Sequence, residues 1–273
     1  MLNEPRIYRY STIRLVLLII LLALLGIAPF MILGGNNSLY VLFSFAFIGL
    51  VMFISIYSLT RSTTISNDGI STRSLLGERS LNWSEIDSVS GSGNKIKLHN
   101  RDGDVTVAPS PHLPGYPEVI EMIGAKRPDL FNPAEYSVMP RNWLGSLWFL
   151  VMGMLFIGIG IFLYLDASET ETMMPIILVA VVGLAFIASI FMSVLSLRLD
   201  GSSLTIRYLL GQTVLKPGEV KSVGLNVTQT RNGKTYNVLM FTDRGRTIRF
   251  SGIGPSLPIV YLVLKNWQQG RLK

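Results

Sequence analysis

The sequence contains no cysteine and only two histidines, His99 and His112, among 273 residues. The lack of cysteine excludes disulfides, thiol catalysis and thiolate metal ligands. Neither histidine has a second histidine or a cysteine close to it in sequence, so we expect both at the surface. No catalytic residue, cofactor-binding motif or metal site is predicted, and we expect a protein that is not an enzyme.

Charge is absent from the interior of four long apolar runs. They cover residues 15–33, 39–60, 143–165 and 173–197. Each has about the 20 apolar residues that roughly 30 Å of hydrocarbon requires. Four such runs, arranged in pairs across short polar turns, predict four transmembrane helices in two hairpins. The first run lacks a good cleavage site for a signal peptide, so we expect it to be retained.

Positive charge is also missing from the two turns inside these hairpins. The turn at 34–38 is uncharged, and the turn at 166–172 carries only Asp166, Glu169 and Glu171. Lysine and arginine near the ends of spans stay preferentially in the cytoplasm, which predicts that both termini and both polar segments are cytoplasmic. The sequence therefore predicts a multi-pass protein of the inner, cytoplasmic membrane.

These patterns divide the chain into five predicted parts. They are a basic arm (1–14), a first hairpin (15–60), a first polar domain (61–138), a second hairpin (139–197) and a second polar domain (198–273). The last domain has twelve cations and three anions, a net charge of +9. Such a domain near a cytoplasmic leaflet attracts anionic headgroups. Ordinary positive-inside bias explains the same excess, and both alternatives stay open.

Both polar segments alternate polar and apolar residues as β-strands do. Residues 65–75 read as two strands around an Asn-Asp-Gly turn, a strong hairpin signal. Helical spacing at 117–125 and 257–267 predicts one closing helix for each domain. Leu75-Leu76-Gly77 recurs as Leu209-Leu210-Gly211, and the following Glu-x-x-Ser-Val recurs at identical spacing. This repetition indicates an internal duplication.

The chain resembles the bacterial pleckstrin-homology-like (PH-like) membrane proteins, in which a two-span hairpin precedes a small domain. The residues that carry the resemblance are Asp68-Gly69-Ile70, Arg73, Leu76-Gly77, Trp83-Ser84-Glu85-Ile86, Val89, the Asp102-Gly103 turn and the closing helix. The second copy departs from the pattern at Pro217, where the first has Trp83. The resemblance implies a bacterial protein with two mainly β PH-like domains, each an antiparallel sandwich or open barrel capped by a C-terminal helix. Such a fold does not fix a function.

Four cations of the second polar domain form the candidate ligand site. Lys234, Arg244, Arg246 and Arg249 resemble the lysine and Arg-x-Arg with which PH domains hold phosphorylated headgroups. The family motif belongs to the first hairpin, whereas these residues fall in a late turn. A specific headgroup pocket, diffuse attraction to anionic lipid and a plain solvated face all stay open. Nucleic acid is not predicted, because no aromatic residues interleave with the cations.

We expect a membrane protein without enzymatic activity that displays its two PH-like domains as docking surfaces for protein partners. The alternative is a module that responds to anionic lipid through its basic second domain. Neither function requires a cofactor.

Overall fold

The chain forms two units, each built from two antiparallel β-sheets and several helices. The computed structural model describes residues 4–11, 13, 16–17, 20, 38–166, 173–191, 193–230 and 233–270. The first unit comprises Met1–Ser90 and Lys95–Leu130, and the second comprises Gly91–Asn94 and Phe131–Lys273.

The first unit contains a four-stranded sheet and a three-stranded sheet. The first sheet has the order β1-β2-β3-β4, with strands Arg6–Arg9, Ser62–Ile65, Gly69–Ser74 and Gly77–Asn82. The second has the order β5-β6-β7, with strands Ile86–Ser92, Lys95–Asn100 and Thr106–Val107. Ile65 pairs with Ile70 across the Asn-Asp-Gly turn, which confirms the predicted hairpin.

The second unit repeats this order of strands. Its four-stranded sheet is β11-β10-β9-β8, with β8 Val138–Pro140, β9 Ser196–Asp200, β10 Ser203–Tyr208 and β11 Gly211–Leu215. Its three-stranded sheet is β12-β13-β14, with strands Val220–Thr230, Gly233–Thr242 and Thr247–Phe250. In both units the first strand of the larger sheet precedes the apolar helical region, and the second strand follows it.

Five α-helices occur among the described residues. They are α1 Ser38–Leu59, α2 Tyr116–Lys126, α3 Trp143–Asp166, α4 Met173–Phe191 and α5 Leu257–Gln268. Helices α2 and α5 confirm the two predicted closing helices. The apolar residues of α5 pack on β12 and β13 of its own unit.

Each core is filled by the inward positions of the strands and by its closing helix. In the first unit, Trp83 packs in the core and donates a hydrogen bond from Nε1 to the Ser66 carbonyl at 3.1 Å. In the second unit, Trp267 of α5 is fully buried, and Asn266 Nδ2 donates to the Phe131 carbonyl at 3.1 Å. Period-two alternation in the strands and helical periodicity in α2 and α5 therefore produce both cores.

The predicted fold class, four transmembrane helices in two hairpins plus two PH-like domains, is wrong. The described residues form five helices and four antiparallel sheets of three or four strands. Within this part of the chain, one helical segment, Leu147–Leu165 of α3, is long and apolar enough to cross a membrane. The prediction of a multi-pass protein of the inner membrane is wrong for the same reason.

An unbroken apolar sequence need not be an unbroken helix. The run at 173–197 contains α4 only as far as Phe191, and Leu197 is fully buried in strand β9. The apolar stretches described in α1 and α4 are Phe45–Tyr57 and Ile176–Phe191.

Several predictions fall outside the described residues. They concern most of the run at 15–33, the turn at 34–37, and the charges Glu169 and Glu171.

Arg127 ties the end of helix α2 to the sheets of the first unit. Its guanidinium donates to the carbonyl of Trp83 at 2.6 Å and to the carbonyl of Ile86. It also forms an ion pair with Asp129 at 2.6 Å. The hydrogen bond between these two side chains is the main cause that raises the pKa of Arg127 and lowers the pKa of Asp129.

Replacing Arg127 tests which of these contacts stabilises the first unit. Arg127→Ala leaves the two carbonyls without their donor, and we expect the free energy of unfolding to fall by about 1–3 kcal/mol. Asp129→Asn removes only an ion pair whose carboxylate side chain is 59% exposed, so we expect a loss below about 1 kcal/mol. Chemical unfolding of the full chain in mild detergent measures both. Equal losses would contradict the importance of the carbonyl contacts.

Candidate functional site

The structure separates the four cations predicted to form a ligand site. Lys234 lies at the start of β13, whereas Arg244 and Arg246 lie in the turn beyond the other end of that strand at Thr242. Eight strand residues at about 3.4 Å each place Lys234 and Thr242 roughly 27 Å apart. Lys234 therefore does not converge with the two turn arginines on one headgroup.

Arg249 lies on a different face of the sheet from Lys234. It is exposed in β14 and pairs with Leu239 of β13. Side chains alternate along a strand, so Lys234 falls on the same face as the buried Val238, opposite to Leu239 and Arg249. The sequence thus located exposed cations but not a single cluster.

Arg244 and Arg246 line a groove of about 390 Å³ between their turn and strands β10 and β11. Gly245 between them adopts a φ of 74°, and the Arg246 amide donates to Thr242 Oγ1 at 3.1 Å, which fixes the turn. Arg244 lies 3.5 Å from Glu219, but its side chain is 81% exposed, so the ion pair contributes little. The groove therefore offers two exposed surface cations rather than a preformed pocket.

Among the described residues, α3 carries a long uncovered apolar surface. Only 11% of the residues in Leu147–Leu165 are buried within the structure. Exposed fractions reach 68% at Phe162 and 78% at Leu165. Monomeric soluble proteins rarely leave a continuous apolar surface of this extent in water. This surface is therefore the strongest functional feature of the second unit.

Helices α3 and α4 pack against each other at two glycines. A Cβ atom added to Gly153 would lie 2.8 Å from Ile187 Cγ1 and 3.1 Å from the Gly183 carbonyl oxygen. A Cβ atom added to Gly183 would lie 2.9 Å from the Gly153 carbonyl oxygen. The absence of side chains lets the two backbones approach closely, as small residues do in membrane helix pairs. These two glycines were not predicted as packing residues.

Two exposed leucine pairs form the tips of matching hairpins. Leu75 and Leu76 connect β3 to β4, and Leu209 and Leu210 connect β10 to β11. Leu76 is 80% exposed and Leu210 is 84% exposed. In both units the tip therefore presents apolar side chains to the surroundings rather than the polar residues usual in a turn.

In the second unit, the leucine tip lies at the sheet edge where the helix pair ends. The Leu195 amide, four residues beyond α4, donates to the Arg207 carbonyl at 2.7 Å. Pro140, which precedes α3, pairs with Ser196 of β9. Trp143 and Trp148 in the first turns of α3 are 58% and 64% exposed. Apolar helices, exposed tryptophans and the leucine tip thus occupy one edge.

The histidines do not form a catalytic arrangement. His99 lies between two hydroxyl groups, with Nε2 at 2.7 Å from Ser90 Oγ and Nδ1 at 3.1 Å from Thr106 Oγ1. His112 is exposed in the loop before α2. The described residues contain no group of three or more histidine, aspartate or glutamate side chains arranged to hold a metal.

Comparison with known proteins gives no family, since no family model matches this chain and no curated protein matches it either. The resemblance to PH-like membrane proteins therefore stays a prediction.

The glycine contact between α3 and α4 can be tested by adding side chains. Gly153→Val and Gly183→Val each force the backbones apart, and we expect the free energy of unfolding to fall by about 1–3 kcal/mol. Gly158→Val is the matched control, because a Cβ atom there meets nothing within 4 Å. Thermal unfolding in mild detergent measures the three variants. A loss at Gly158 as large as at Gly153 would show that the close approach is unimportant.

Proposed function

We propose that this chain is a membrane-associated protein without enzymatic activity, and that the outer face of α3 and α4 contacts the hydrocarbon of a lipid bilayer. The observation that carries this proposal is the uncovered apolar surface of Leu147–Leu165. Burying one large apolar side chain is worth about 1.5–3 kcal/mol. Twelve large side chains of this segment are at least 39% exposed, so lipid contact stabilises the protein by on the order of 10 kcal/mol.

The dimensions and chemistry of α3 favour lipid over water or a polar partner. Its 19-residue apolar segment extends about 28 Å, close to the thickness of the hydrocarbon core. The segment contains no charged residue. Trp143 and Trp148 lie near one end of the helix, where amphipathic rings contact the headgroup region. Leu209 and Leu210 at the adjoining edge are placed to enter the same region.

A second candidate function is attraction of the basic second unit to anionic lipid. It is favoured by the exposure of Arg244, Arg246 and Arg249 and by the net charge of +9 over 198–273. Each cation near an anionic surface contributes on the order of 1 kcal/mol. We also propose that the β-sheets serve as docking surfaces for protein partners. Lipid contact by α3 is compatible with this role.

Tryptophan fluorescence offers a direct test of lipid contact, because the four tryptophans divide into two exposed and two buried ones. Trp143 and Trp148 are more than half exposed, whereas Trp83 and Trp267 are 8% and 0% exposed. In nanodiscs with brominated acyl chains, we expect bromine to quench the emission of Trp148 and to leave Trp83 and Trp267 nearly unaffected. The measurement compares brominated and ordinary lipid with the same full chain.

Two single variants assign the quenched emission. Trp148→Phe should reduce the quenched fraction, and Trp267→Phe should reduce only the unquenched fraction. Unchanged emission in brominated lipid would contradict contact between α3 and hydrocarbon. Equal quenching of all four tryptophans would show an unfolded or collapsed protein and would also contradict the proposal.

A further inference from the structure

The first unit contains a polar cavity that the sequence analysis did not identify. It measures about 300 Å³ and lies where the end of α1 meets the edge of the four-stranded sheet. Three arginines line it, Arg61, Arg73 and Arg79, together with one carboxylate, Glu78. Hydroxyl groups of six serine and threonine residues complete the polar lining. The ionisable lining residues therefore carry a net charge of +2.

Part of this lining occupies sheet positions that normally face a core. Thr63 pairs with Thr72, and Thr72 pairs with Arg79, so the three residues form a row across β2, β3 and β4. The next row on the same face lies two residues further along each strand. It consists of Ile65, Ile70 and Leu81, and all three are buried. Because alternate residues share a face, the polar row extends the core face of the sheet.

The second unit shows that the fold does not require polar residues in this row. Its corresponding row, in the same register, consists of Leu197, Ile206 and Thr213. Leu197 and Ile206 are fully buried. The first unit therefore has Thr63 and Thr72 where the equivalent sheet has leucine and isoleucine, which reduces its apolar burial, and it has Arg79 where that sheet has Thr213.

A buried hydroxyl group points to a ligand at this cavity. Thr63 is 1% exposed, and its Oγ1 has no hydrogen-bond partner among the described residues. An unsatisfied buried polar group is destabilising and is uncommon in native structures. Ser110, 6% exposed, lines the same cavity. An anion in the cavity provides acceptor oxygens for such hydroxyl groups.

The cavity arginines are also not neutralised within the described part of the chain. The ion pairs found there involve Arg127 and Arg244, but none of the cavity arginines. Arg61 stacks over the Tyr57 ring at 4.5 Å, which orients its guanidinium at the end of α1. Arg73 and Arg79 are exposed on neighbouring strands. By strand alternation Arg79 shares the face of Thr63, whereas Arg73, next to Thr72, lies on the other face. Arg61 and Arg79 are thus the cavity charges available to an anion beside the buried hydroxyl group.

We infer that this cavity binds a phosphate group. Arginine matches phosphate oxygens bidentately, and two guanidinium groups with several hydroxyl groups suit the three terminal oxygens of a phosphate monoester better than the two of a carboxylate. The phosphate belongs either to a lipid headgroup or to a soluble ester. The exposed Leu76 tip and the end of α1 adjoin the cavity, so a headgroup in a bilayer surface can reach it. The inference does not depend on lipid contact by α3.

The test uses the full chain in maltoside micelles, which contain no phosphate. One arm titrates inorganic phosphate at constant ionic strength, and the other adds phosphatidic acid to the micelles. Binding is measured by calorimetry in both arms. Binding in the first arm assigns a soluble phosphate ester, and binding confined to the second assigns a lipid headgroup. The inference is overturned if neither probe binds.

Matched variants distinguish the cavity from general positive charge. Arg79→Gln should weaken binding about tenfold, because it removes a charged donor from the face that carries Thr63. Arg207→Gln removes the same charge from the equivalent sheet of the second unit and should leave the affinity unchanged. Equal losses in these two variants would contradict a site in the first unit.

Thr63→Val separates ligand binding from stability. It removes the buried hydroxyl group while keeping the shape of the side chain. We expect affinity for the bound probe to fall about tenfold, since a hydrogen bond to a charged acceptor is lost. The unfolding temperature without the probe should stay the same or rise, because the unsatisfied group is gone. Unchanged affinity would remove Thr63 from the site and contradict the inference.

Discussion

The structure depends on one constraint: among the described residues, the longest apolar helix is not covered by the rest of the chain. Helix α3 packs along α4 through Gly153 and Gly183, and its other sides remain exposed. A surface of this kind is stable only where the surroundings are apolar. The ends of the helix pair are held by strand pairing between Pro140 and Ser196, which fixes the edge of the second unit next to the helix pair.

The two units share an order of elements but differ in their polar chemistry. In both units an apolar helical region lies between the first two strands of the larger sheet. Exposed leucines form the tip of the β3–β4 hairpin in the first unit and of the β10–β11 hairpin in the second. The first unit replaces part of its core face with Thr63, Thr72 and Arg79, whereas the second fills the same row largely with apolar residues. This divergence places the proposed phosphate site in one unit only.

Local patterns in the sequence predicted local structure well. The Asn-Asp-Gly hairpin and both closing helices follow from turn chemistry and periodicity, which act over a few residues. Hydrophobicity alone did not separate a membrane-length helix from a helix followed by a buried strand, as Leu197 shows. Strands β1 and β8 were missed because they are four and three residues long and stand apart from their sheets in sequence.

The candidate site shows the same limit. The sequence shows which residues are cationic, but strand register decides which cations meet. Lys234 and Arg244 are separated by the length of β13, whereas Arg79 is brought to Thr63 through two strand pairings.

The most direct test of the central claim, that the outer face of α3 contacts hydrocarbon, is spin labelling of a single introduced cysteine, Phe162→Cys. The chain has no other cysteine. In nanodiscs, we expect molecular oxygen to relax the spin label strongly and a water-soluble nickel complex to relax it only weakly. Equal access of the nickel complex to this label and to one at the exposed Arg101 would contradict it.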